Sequence, residues 1–466
     1  MDDDMSGNDM RKENEQLNLL PREGIDWSRV EPMRRVWLED IGGDHRARLE
    51  FLADQGLRLV MADLGPGEGE TLHFFNPRDR ETLHLRAGGG KSLLSEAARY
   101  FPSVSRWTEL LQGEEKSSQE ERESAALPTR SGILFEVEGG RVLRVHESWR
   151  DYPQVVLYGT KTGQAGSFLE KEAGTEGTAL AIVFVQALED ARGMKVPTAA
   201  LALRTVLIES ARAQGHLAWI GAAAAVLQRQ RIAAKSDSLR RELEEGLEEW
   251  LGDPLGRGWA IPGGMKEGFP LEGATACVEK LGAVAAKWEE LSPRVKSLPV
   301  PRWTEKRLHR LPGEAEASGW VGPLARAAGL DVDVRKEEPG VYPVVAWEGT
   351  DAPEGAGMFR RLLALKAGEV ASSLEVARRI LEDLPDDPLL VKRGRGGRGE
   401  GFGRCEGPEG ETCCHVALEK GQISYVAFSL PRELNRSAAR VLEGRLLDEA
   451  DILSLLWENP PTPITG

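Results

Sequence analysis

The chain has 466 residues, 41% of them hydrophobic, which is enough for two or three domains with cores of their own. A net charge of −15 argues against a chiefly nucleic-acid-binding protein or one held to membranes by a polybasic surface. Four cysteines, Cys277, Cys405, Cys413 and Cys414, are too few and too unevenly spaced for a disulfide framework, and point to a reducing cytoplasm.

Residues 1–24 are acidic and polar without an apolar core, and read as a disordered tail rather than a secretory or transit segment. Residues 25–113 form an expected α+β domain. Period-two apolar runs from Leu57, Thr71 and Thr82, bounded by Gly, Pro and Asn, predict strands and hairpins, with helices at Arg46–Gln55 and Leu93–Tyr100. The run Gly88-Gly89-Gly90-Lys91-Ser92 ends like a phosphate loop, but Leu85 stands where the first glycine is needed, so a hairpin turn is the better reading. Residues 114–128 are a charged linker by composition.

Residues 129–466 make an expected mainly helical domain. The spacing predicts helices over Thr178–Arg192, Pro197–Gln228, Ile232–Trp250, Leu271–Leu291 and Met358–Leu384, with a small sheet over Cys405–Leu430. No apolar run reaches the roughly 20 residues of a membrane span, so membrane contact passes through partners. The stretch Val196–Gly221 opens with proline, which has no amide to leave unbonded in the first helical turn. Its apolar residues surround Glu209, Arg212 and His216, at i, i+3 and i+7 on one stripe, with Arg204 to the side. Unpaired charges there would each cost several kcal/mol, so they must bond one another or a facing helix. Lys392–Gly403 contains Gly-x-Gly-x-x-Gly but no helix opens from it, and it reads as a basic loop joining helix to strand. Cys405, Cys413, Cys414 and His415 suggest zinc. Adjacent strand residues face opposite ways, so at most one of Cys413 and Cys414 can join the others, which leaves a poor site.

The order Val196-Pro197, Ala200, Arg204, Glu209, Arg212, His216-Leu217, Gly221 resembles the central helix of two related families. One is the large subunit of membrane-bound (group 4, formate-hydrogenlyase-type) nickel-iron hydrogenases; the other is the 49-kilodalton-type subunit of respiratory complex I. Glu189 and Gly193, Gly252, Ile261-Pro262-Gly263-Gly264, Gly322–Lys336 with Arg326, Asp333 and Arg335, and Gly403–Leu418 are similar to further family blocks in the same order. Pro254 departs from the pattern, replacing an arginine. Lys366, Glu369 and Ser373 resemble another motif, with Leu362 in place of its first arginine. Residues 25–113 resemble the 30-kilodalton-type subunit of complex I, a unit fused ahead of the large subunit in many relatives.

The resemblance implies a helix bundle with a small peripheral β-sheet. It also implies four thiolates from two Cys-x-x-Cys pairs wherever nickel and iron are held, because soft sulfur ligands bind those metals. Here Ala173 and Glu176 occupy the first pair's positions, Leu180 replaces the following histidine, and no cysteine falls where the second pair is expected. These are degenerate metal positions, and no metal or other cofactor is expected in this chain. The complex I branch uses the vacated cavity for a quinone headgroup, so quinone is possible, although its usual histidine is missing from Trp149–Gly166; Tyr158 and Lys161 are the available substitutes. Any NADH site would lie on another subunit.

The implied function is a peripheral-arm subunit of a complex I-like or hydrogenase-like oxidoreductase, cytoplasmic and peripheral to the inner membrane. Its implied partners are an iron-sulfur small subunit, which carries the clusters, and membrane subunits. The alternative is a catalytically silent docking scaffold. A nucleic-acid binder is disfavoured by the acidic balance. Glu209, Arg212, His216, Arg326, Asp333 and Arg335 are the candidate residues, either as a proton relay or as a structural ion-pair network.

Overall fold

The computed structural model of the chain describes residues 24–32, 34–38, 45–63, 69–86, 93–101, 103–104, 132–148, 169–170, 175–300, 315, 319–337, 340–391, 397–431, 435 and 443–444. The acidic tail to residue 23, the linker, the phosphate-loop-like glycines, Ala173, Tyr158 and Lys161 lie outside the described residues.

The N-terminal region is β1 (Arg34–Leu38), α1 (His45–Asp54), β2 (Arg58–Asp63), β3 (Thr71–Asn76), β4 (Glu81–Arg86) and α2 (Leu93–Ala97). Its sheet runs β1-β4-β3-β2, with β1 parallel to β4 and the other pairs antiparallel. The alternating runs fall on β2, β3 and β4 as expected. All six residues of β3 are buried, because the C-terminal sheet covers its second face. A hairpin of β5 (Gly132–Glu138) and β6 (Arg141–Ser148) follows.

The helical body consists of α3 (Glu176–Ala191), α4 (Thr198–Val226), α5 (Gln230–Leu251), a two-strand turn of β7 (Ala260–Ile261) and β8 (Gly264–Met265), and α6 (Ala274–Lys296). Short α7 (Gly322–Ala328) and α8 (Val334–Glu337) lead to α9 (Met358–Glu382). The periodicity found these long helices to within a few residues. On α6 the buried residues Cys277, Leu281, Val284, Trp288, Leu291 and Val295 recur every three or four positions, so one face meets α5 and α9. Helix α4 is different: 22 of its 29 residues are buried, which makes it the core element that α5 and α9 pack around.

The C-terminal sheet, ordered β11-β10-β9, comprises β9 (Arg398–Glu406), β10 (Glu411–Glu419) and β11 (Gln422–Ser429). Here the sequence expectation of a basic loop is corrected over residues 398–403, while residues 392–396 lie outside the described residues. Gly399, Gly401 and Gly403 alternate along β9 beneath α3, and a Cβ on them would lie 2.1, 2.1 and 1.9 Å from the carbonyls of Ala191, Ala187 and Val183. The glycines let helix and strand backbones touch, and no phosphate cradle forms among the described residues.

Candidate functional site

One glycine-bearing turn, between β7 and β8, fixes the Glu189 end of α3. Gly263 and Gly264 (φ +96° and +147°) press against the carbonyls of Val391 and Leu389, at distances where no Cβ fits. Glu189 accepts from the Gly263 amide at 2.7 Å, and both guanidinium nitrogens of Arg204 donate to Glu189 at 2.9 and 2.6 Å. Arg204 also donates to the carbonyls of Ile261 and Gly264, both at 2.9 Å. The Glu189, Arg204 and Pro-Gly-Gly blocks, far apart in sequence, are thus one joint between α3, α4 and the β7–β8 turn.

The predicted residues Glu209, Arg212, His216, Arg326, Asp333 and Arg335 come together with Lys366, Glu369, Ser373, Tyr342, Glu406 and Glu409. Arg212 donates to Glu209 on its own helix at 3.2 Å, and to the backbone carbonyls of Gly407 and Glu406 in the β9–β10 turn, both at 2.6 Å. Glu209 also accepts from Ser373 on α9 and from the Tyr342 hydroxyl, both at 2.5 Å. Burial works to raise the Glu209 pKa, but Arg212, Arg335 and these donors outweigh it and hold the carboxylate below its usual range.

Glu369 is the hub. It accepts from Arg326 at 2.6 Å, from Arg335 at 2.8 Å and from His216 at 2.7 Å. Burial opposes its ionisation, yet the two guanidinium groups and His216 hold it well below the carboxylate range. Burial and the nearby Lys366 charge push the His216 pKa down to about 4, so the imidazole is neutral near pH 7. Its tautomer follows: Nε2–H faces Glu369, and Nδ1 accepts from Lys366 Nζ at 3.4 Å. Lys366 in turn donates to Glu409 at 2.7 and 2.9 Å. Arg326 reaches Glu406 at 2.7 Å and Asp333 at 3.2 Å, while Arg335 pairs with Asp333 at 2.8 Å. Asp333 is buried, but its two arginines bring it down to about 2.

At the two ends of this network the balance reverses. Glu406 is raised to about 7 by burial and by Asp333. Glu176, at the start of α3, accepts from the Glu409 amide at 2.9 Å through Oε1, while its buried Oε2 has no partner among the described residues. Burial first, then the Glu409 charge, raises it to about 8, so it carries a proton at neutral pH. Glu176 therefore opens α3 beside the β9–β10 turn, at the end of that helix opposite Glu189.

The donor set there does not fit a nickel-iron centre. Glu176 is one hard oxygen in a neighbourhood that includes Arg212 and Lys366, and all four thiols are buried elsewhere. Cys277 lies in the helical core, and Cys405 donates to the Ala179 carbonyl at 3.8 Å. Cys413 and Cys414 enter two different cores on opposite faces of the sheet, as strand geometry requires. The strand alternation that made a cysteine-based zinc site poor is seen directly: His415 points the other way from Cys405 and Cys414, to Asp63 on β2.

Sequence reasoning missed Glu406, Glu409 and Tyr342 as network members, and it missed the buried group of Asp63, His73, His84 and His415. A usable signal existed for the latter: His73 and His84 are register partners on adjacent strands, so they share a face.

Residues 238–396 match the family described as the respiratory-chain NADH dehydrogenase 49-kilodalton subunit. The membrane-bound hydrogenase subunit alpha of Pyrococcus furiosus is 26% identical over 288 residues, covering 57% of this chain and 66% of that one. An NADH-quinone oxidoreductase subunit of Streptomyces coelicolor is 29% identical over 191 residues, covering 41% and 47%. The chain thus spans about half to two thirds of the length of these relatives. Among solved structures, a chain of the membrane-bound sulfane sulfur reductase, an archaeal respiratory membrane complex, superposes with a TM-score of 0.61 at 19% identity, covering 72% of this chain and 94% of that one. It shares the fold. No helix among the described residues is long and apolar enough to cross a membrane. In sequence the chain is similar to the respiratory-chain NADH dehydrogenase 49-kilodalton subunit and to the membrane-bound hydrogenase subunit alpha.

Proposed function

We propose that the chain is the large-subunit component of a membrane-bound, complex I-like or hydrogenase-like oxidoreductase, held on the cytoplasmic side by membrane partners. In this reading an iron-sulfur partner carries the electrons. This chain contributes the end of the bundle where an acceptor of quinone type docks, and the network behind it holds the accompanying protons. One observation carries the reading: two buried carboxyls are raised to about 8 and about 7, Glu176 and Glu406; Glu409, Lys366, His216, Glu369, Arg326 and Glu406 are bonded side chain to side chain, and Glu176 meets that series at the Glu409 backbone amide. Groups that ionise near neutral pH can take up and give back protons, whereas the ion pairs and the neutral His216 between them hold their protonation fixed.

The alternative is a docking scaffold without turnover. It is favoured by the missing thiolates and by the near-complete internal pairing of the network charges. Purification of the tagged chain from its own membranes, with assays of hydrogen evolution and quinone reduction, separates the two. Copurifying iron-sulfur and membrane subunits are expected, and Glu176→Gln and His216→Phe should assemble normally yet turn over about 100-fold slower. An intact complex with unchanged rates in both variants leaves only the scaffold.

A further inference from the structure

Where the two sheets meet face to face, a polar group lies inside aromatic walls. Asp63 on β2, His73 on β3, His84 on β4 and His415 on β10 are at most 3% exposed. Trp37 stacks on His84 with ring centroids 4.3 Å apart, and Phe402 stacks on His73 at 4.6 Å. A purely hydrophobic filling would serve a sheet-to-sheet interface as well, so three imidazoles and a carboxylate require another reason.

We propose that Asp63, His73 and His415 form a divalent transition-metal site, of zinc type, that joins the N-terminal sheet to the C-terminal one. The proposal is independent of the redox reading above. Asp63 Oδ2 lies 2.9 Å from His73 Nε2 and 3.0 Å from His415 Nδ1, and one ligand atom from each residue lies within 4.8 Å of the others. Tetrahedral zinc with bonds of about 2.0–2.1 Å separates its ligands by roughly 3.3 Å, so the two carboxylate contacts open by a few tenths of an ångström while the imidazole nitrogens close by up to about 1.5 Å. Imidazole and carboxylate are a set that suits zinc, and three protein ligands leave a fourth position for water.

The surroundings supply the outer partners such a site needs. A histidine bound to metal through one ring nitrogen donates from the other, which fixes its tautomer and orientation. His73 Nδ1 faces His84 Nδ1 at 2.6 Å, and His415 Nε2 faces Glu400 Oε2 at 3.5 Å. Glu400 is itself held by Arg86 at 3.0 and 2.5 Å. The other His84 nitrogen, Nε2, is buried without a partner among the described residues. The competing occupant is a proton on His415, placed between the carboxylates of Asp63 and Glu400.

The test is titration of the purified, chelator-treated full chain with zinc chloride and with cobalt chloride. One equivalent of zinc should bind and release protons. Cobalt should give visible ligand-field bands without thiolate charge transfer. His73→Gln and His415→Gln should lose this binding, and His84→Gln should weaken it about 10- to 100-fold. Stoichiometric binding that survives in folded His73→Gln and His415→Gln overturns the proposal. Should those variants fail to fold, the wild-type spectrum still decides: sulfur charge transfer, or no uptake of either metal, leaves a protonated histidine at the interface instead.

Discussion

At the scale of single residues, what matters in the network is which charges have company. Glu369 is shared by Arg326, Arg335 and His216, and removing its charge leaves buried cations short of a counter-ion. Glu369→Gln keeps the shape and should cost about 3–5 kcal/mol, read as a lowered urea midpoint at unchanged slope. Asp237→Asn removes an exposed partner of Arg240 and Arg241 on α5, and should stay within about 1 kcal/mol. Glu176 works in the opposite sense. Its carboxyl, raised from 4.5 to about 8, keeps a proton in the folded chain over a pH range where the unfolded chain has lost it. The folded state therefore loses stability as pH rises from 4.5 through 8. Glu176→Gln cannot ionise, so its melting temperature should decline less across that window than the wild type's. Part of the decline remains, because Glu406, at about 7, titrates in the same direction.

At the scale of elements, β9 and α3 illustrate both the reach and the limit of sequence reading. A glycine-rich, basic run offers no apolar alternation, so it looks like a loop, although its glycines fall at every second position. That period is the trace of a strand whose one face has been stripped to admit a helix backbone. Gly401→Ala places a methyl group 2.1 Å from the Ala187 carbonyl, which backbone atoms cannot vacate cheaply. It should cost about 1–3 kcal/mol or more and speed hydrogen exchange along α3 and β9. The long helices were legible because their apolar residues repeat every three or four positions over many turns, as on α6. The pairing demanded by Glu209, Arg212 and His216 was legible too, though the facing helix that supplies Glu369 and Ser373 was read only as a separate motif. By contrast, β1, with sequence Arg-Arg-Val-Trp-Leu, carries charge where a core strand has none, and nothing local marks it as the partner of β4. His73 and His84 alternate with leucine and phenylalanine, which locally means a solvent-facing row. Only the distant β9–β10 pair turns that row into an interior.

At the scale of the whole molecule, the two sheets are clamped by charge as well as by apolar contact. Arg58 on β2 donates to Glu337 and Glu411 at 2.7 Å each, and Arg404 on β9 bonds the same two carboxylates. Arg58→Ala should raise amide exchange in β2, β3 and β4 while leaving the bundle of α4, α5, α6 and α9 protected. The bare contact of α3 on β9 carries a mechanical consequence. Glu176 begins that helix and Glu406 ends that strand, so both ride on one slab, whose layers are also pinned where Asp190 and Gln186 accept from the Phe402 and Arg404 amides at 2.9 and 3.0 Å. Their spacing is locked. On the proposed reading, what joins the two ends is a relocated hydrogen nucleus rather than a piston stroke.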